Sequence, residues 1–75
     1  MSISLSARKR RADAAERRWR HAWHLACEYD GVDPGAPFAV FSAGNPHTAE
    51  VDALAAQFRR SLYAYRMARA KVAAG

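Results

Sequence analysis

The chain has 75 residues, a formal net charge of +5 and one cysteine, Cys27. A chain of this length holds one domain, and its apolar core supplies no more than about 3 to 5 kcal/mol, so a disulfide, a metal or another chain is expected to supplement it. The lone cysteine excludes an intrachain disulfide, and charges recurring every few residues exclude a membrane span. The basic run Arg8-Lys9-Arg10-Arg11 follows an N-terminus without the apolar stretch of a signal peptide, which places the chain in the cytoplasm as an expectation.

Between about residues 4 and 30 there is neither Gly nor Pro, and Ala, Arg, Leu and Glu dominate, which predicts one long helix. At about 100° per residue, Leu5, Ala12, Ala15, Trp19, Ala22, Trp23 and Ala26 share one face, with Arg10, Arg17, His21, His24 and Glu28 opposite. The buried stripe is thus small residues with two large anchors. Asp13 with Arg17 and Glu16 with Arg20 are acid-before-base pairs at i,i+4 and add a few tenths of a kcal/mol each.

Residues 31–45 form the expected loop. Gly31 is placed to take the left-handed conformation that ends a helix, and Val32-Asp33-Pro34-Gly35-Ala36-Pro37 continues the breakers. Phe38-Ala39-Val40-Phe41 is too short for a sheet of its own, so Phe38, Val40 or Phe41 is expected to fold over one end of the helix pair. Asn45-Pro46 then signals a helix start, predicting a second helix over about 46–73. Val51, Leu54, Phe58, Ser61, Tyr65, Ala68 and Val72 follow 3-4 spacing over three heptads, with Ala55 and Leu62 widening the stripe.

The expected fold class is therefore all-α, a single antiparallel two-helix hairpin of coiled-coil type over residues 1–75. Such a hairpin cannot surround its own core, and Trp19, Trp23, Leu54, Phe58, Leu62 and Tyr65 would leave an apolar strip partly exposed. Dimerisation into a four-helix bundle would cover it. Tyr63 and Met67 fall on the outer face of the second helix, where a core role is closed to them, and are candidates for contact with a protein partner.

Candidate chemistry is sparse. His21, His24 and Cys27 step by three residues, and His47 could join them as zinc ligands, but His21 and Cys27 point about 120° apart on a helix and no CxxC or HxxxH pair occurs. Surface histidines explain them better, and no metal or cofactor is expected. Glu28, Asp30 and Asp33 gather carboxylates where Asp commonly does turn and capping work. No Gly-rich phosphate loop, GxSxG or HExxH is present, and a bare hairpin lacks a pocket that excludes water, so no enzyme is expected. The basic residues Arg8, Lys9, Arg10, Arg11, Arg17 and Arg18 would suit phosphate contacts along a helix without sequence specificity. The competing explanation is a solvated face in an Arg-biased chain: ten of its twelve basic residues are Arg and eighteen residues are Ala, and both use GC-rich codons.

Over Trp19 to Leu54 the chain reads WRHAWHLACEYDGVDPGAPFAVFSAGNPHTAEVDAL. This stretch, about half the chain, resembles short uncharacterised helical proteins of actinobacteria and their phages, through no diagnostic motif. The resemblance implies a small phage or mobile-element protein that binds a host protein or joins a virion, and it transfers no functional residue. Together these readings predict a non-enzymatic, self-associating interaction or assembly protein with a protein partner. The alternative is a basic nucleic-acid-binding accessory protein.

Overall fold

The computed structural model describes residues 4–74, which form two helices, α1 (Leu5–Asp30) and α2 (Thr48–Ala74), packed antiparallel in a hairpin measuring 48 × 23 × 15 Å. Helix α1 starts where Ser4, in extended backbone, accepts the Ala7 N–H on its hydroxyl at 3.1 Å, replacing one of the partners that a helix N-terminus lacks. It ends at Gly31, whose φ of 67° is left-handed as its sequence position predicts. The Gly31 N–H donates to the Glu28 carbonyl at 3.3 Å and the Val32 N–H to the Cys27 carbonyl at 2.9 Å, the paired bonds of a Schellman termination.

Helix α2 begins two residues later than Asn45-Pro46 suggests. The Asn45 carboxamide oxygen accepts the His47 N–H at 2.9 Å, and the His47 carbonyl accepts the first helical bond, from Val51 at 3.0 Å. Asn45 therefore turns the chain two residues upstream of the cap. Its amide hydrogens go elsewhere: one to the Ala26 carbonyl at 2.9 Å and one to the Asp30 carboxylate at 3.0 Å.

The buried core is Ala12, Ala15, Ala22, Ala26, Cys27 and Val51. Small side chains at the contact let the two helix axes approach. Trp19 stacks on Phe58 with centroids 5.9 Å apart and leans on Trp23, which meets the edge of Phe41 at 5.2 Å. Phe41 is thus the loop residue that folds over the helix pair. Phe38 and Val40, also candidates, are 87% and 94% exposed, while Ala39 and Phe41 are the half-buried residues of the tetrad.

Three further expectations are corrected. Val72 is 68% exposed and not part of a covered stripe: equal steps from the Trp19–Phe58 contact place it level with Leu5, the first residue of α1, where the covering helix runs out. Asp13 pairs with Lys9 at 3.1 Å and not with Arg17, whereas the Glu16–Arg20 pair forms at 2.7 Å. Cys27, absent from the predicted stripe, is wholly buried. Burial pushes its thiol pKa up, and the Asp33 and Asp30 carboxylates add to the shift, so the thiol stays protonated and unreactive.

Candidate functional site

At the loop end the polar side chains work on each other. The Asp30 carboxylate accepts the Ser42 N–H at 2.7 Å, the Ser42 hydroxyl at 2.7 Å and an Asn45 amide hydrogen. The Ser42 hydroxyl, the Ser42 N–H and the Asn45 amide hold the Asp30 pKa below its ordinary value, because each bond favours the ionised carboxylate. Asp33 accepts the Gly35 N–H at 2.9 Å, and the Trp23 indole N–H donates to the Pro34 carbonyl at 3.0 Å. These carboxylates do the turn work expected of them. His47 sits edge-on to Tyr29, with centroids 6.3 Å apart, while His21 and His24 are exposed and Cys27 is buried. Among the described residues no three His, Cys, Asp or Glu side chains gather as metal ligands.

The seam residues Trp19, Trp23, Leu54, Phe58, Leu62 and Tyr65 are all half-buried. The hairpin brings them together along its length but leaves part of each in water. Tyr63 and Met67 are both exposed on α2, Met67 at the edge of the groove that it lines with Arg8 of α1.

The basic residues divide into two kinds. Arg10, Arg11, Arg17 and Arg18 are exposed, as is Lys9, which Asp13 neutralises. Arg8 is different. It follows Leu5 and precedes Ala12 in the 3-4 run of the buried stripe, so its side chain enters the seam, and its Nε is buried without a hydrogen-bond partner among the described residues. An open groove of about 200 Å³ lies beside it, lined by Arg8, Arg11, Arg60, Ser61 and Ala64, and another of about 170 Å³ adjoins it at Met67, Ala68 and Lys71. A third groove, of about 320 Å³, is lined by Arg17, Arg18, His21, Glu50 and Leu54. Arg11 and Arg18 are about two turns apart, so these grooves follow one side of α1.

Folding reveals a charge division that concerns the whole molecule. No Lys or Arg occurs between Arg20 and Arg59. The hairpin therefore gathers them away from the loop: eight lie in its open half, where α1 begins and α2 ends, and Arg18, Arg20, Arg59 and Arg60 lie just past its middle, with only Asp13 and Glu16 among them. The loop half carries Glu28, Asp30, Asp33, Glu50 and Asp52. Arg59, Arg60, Arg66, Arg69 and Lys71 thus join the basic residues of α1 in one cationic region, and the gap in the linear sequence was the signal for it.

No helix among the described residues is long and apolar enough to cross a membrane. No protein-family model matches the chain, and no curated protein or solved structure matches it.

Proposed function

We propose that this chain is a non-enzymatic helical interaction module that self-associates, two hairpins packing into a four-helix bundle that leaves outer faces free for a protein partner. The supporting observation is the state of the seam: six large apolar side chains line it and none is fully buried by the intrachain contact, while the buried core is mostly alanine. Alanine contributes little apolar area, at about 25 cal/mol per Å², so the half-buried Trp, Phe, Leu and Tyr side chains hold most of the stabilisation still to be gained. A second hairpin laid along the strip would supply it. Tyr63 and Met67, both exposed on α2, are the proposed partner contacts. Sedimentation equilibrium tests the self-association: a dimer that dissociates on dilution is the expected result, and a monomer throughout a wide concentration range overturns it.

The gathering of Lys and Arg in the open half and middle of the hairpin favours a second reading, contact with a polyanion such as nucleic acid. Of these residues only Lys9 and Arg20 have ion-pair partners among the described residues, which leaves Arg10, Arg11, Arg17 and Arg18 available to phosphates. Binding to duplex DNA or RNA would then weaken steeply as salt rises, and neutralising those four arginines would abolish it. Absence of a mobility shift at low salt refutes this reading.

A further inference from the structure

We infer that the two hairpins of the proposed dimer lie head to tail, the loop end of one against the open end of the other. This orientation rests on the self-association reading and adds what the charges contribute to it. Two parallel hairpins would set one cationic half beside another and the acidic loop ends together. Reversing one copy turns the acidic loop end toward the partner's cationic end, with Glu50, which is exposed, shares a groove with the seam residue Leu54 and has no ion-pair partner among the described residues, nearest the contact.

The helix dipoles sharpen the argument. In α2 the charges suit the dipole, with Glu50 in the first turn and Lys71 in the last. In α1 they oppose it: no acidic residue occupies the first turn and no basic residue the last, while Arg8 to Arg11 lie near the positive end and Glu28 and Asp30 near the negative end. Stability of α1 alone would favour the opposite placement. The division between the two halves of the hairpin thus opposes the local preference of one helix, and a field acting between molecules accounts for it. A polyanion would engage only the cationic half and be repelled by Glu28, Glu50 and Asp52. A reversed copy engages both halves.

The test uses the full chain with one spin label at a time, on Val40→Cys or on Val72→Cys. Both positions are exposed, and buried Cys27 does not compete for the label. In a head-to-tail dimer two Val40 labels lie toward opposite ends of a body 48 Å long, and so do two Val72 labels. In a mixture, a Val40 label and a Val72 label approach to within about the 23 Å width of the molecule. The dimer dissociation constant rises about tenfold or more between low and high salt, as screening removes the attraction. A dimer with short Val40–Val40 distances overturns the orientation while leaving self-association intact. Dissociation that ignores salt overturns the electrostatic cause, and a monomer at every concentration overturns both proposals. The double variant Glu50→Lys with Asp52→Lys weakens the dimer by about tenfold at low salt and little at high salt, and an unchanged dimer would contradict the pairing.

Discussion

The two ends of the hairpin are held by different physics. At the loop end, Asn45 ties the start of α2 to the Ala26 carbonyl and to Asp30, Asp30 holds Ser42 by two bonds, and Trp23 holds Pro34. These contacts join segments separated by eleven to nineteen residues in the chain. At the open end, among the described residues, no side-chain hydrogen bond or ion pair crosses from α1 to α2, and each such bond made there by α1 or its cap stays local. What joins the helices there is small-residue packing around a half-buried arginine. The loop end is therefore a specified clamp, and the open end is held only by proximity. Polar contacts fix a geometry because their directions matter, whereas Ala and Arg surfaces tolerate sliding.

Substitutions at the two ends should consequently differ in size and in sign. The largest effect is expected from Asn45→Ala, which leaves the His47 N–H without its acceptor, removes the second donors to the Ala26 carbonyl and the Asp30 carboxylate, and should cost about 2 to 3 kcal/mol. A midpoint drop of more than about 10 °C in a thermal melt follows, and a drop of a degree or two would show that the clamp is ornamental.

Acid is the next lever on the same end. Asp30 has a lowered pKa in the folded chain, so its contribution to stability is present above the ordinary carboxylate pKa and is lost as pH falls through the depressed folded value. Melting midpoints should fall as pH drops from neutrality through that acidic range. Asp30→Asn should be less stable at neutral pH and show a shallower acid dependence, and an unaltered slope would remove Asp30 from the account.

At the open end the sign reverses. Arg8→Leu replaces a seam guanidinium, with its sealed Nε, by an apolar group and should stabilise the chain by about 1 kcal/mol, raising the midpoint by about 4 to 8 °C. A loss of stability would mean that the guanidinium holds the open end together. The smallest effect belongs to Val72→Ser, expected within about 0.5 kcal/mol of zero because the side chain is mostly in water. A larger cost, confined to high protein concentration, would place Val72 in the dimer contact.

The same contrast separates what could be read in the sequence from what could not. Both helices, the Gly31 termination and the Trp-Ala seam follow from composition and period, which are local signals. The second role of Asn45 does not: its reach to Ala26 and Asp30 depends on where the returning chain lands, and no local pattern encodes that. Arg8 was legible by spacing, since Leu5, Arg8, Ala12, Ala15 and Trp19 keep the 3-4 rhythm, but its charge argued for a place in solvent. A long aliphatic stem lets an arginine occupy a seam position while carrying its charge outward. Cys27 lies one residue after Ala26, at the margin of the stripe, and small polar-looking residues there are buried when the loop folds back. The charge division was visible as a gap in Lys and Arg, yet a gap in a line becomes a pole of a molecule only once the line is folded in half.

A hairpin whose large seam side chains are half-buried is, on this account, stabilised by a second copy. The most direct test is the thermal midpoint of the unmodified chain as a function of its concentration. Linkage between folding and dimerisation predicts that the midpoint rises steadily with concentration. A midpoint that does not move would mean that the lone hairpin is the finished fold, and would contradict the account.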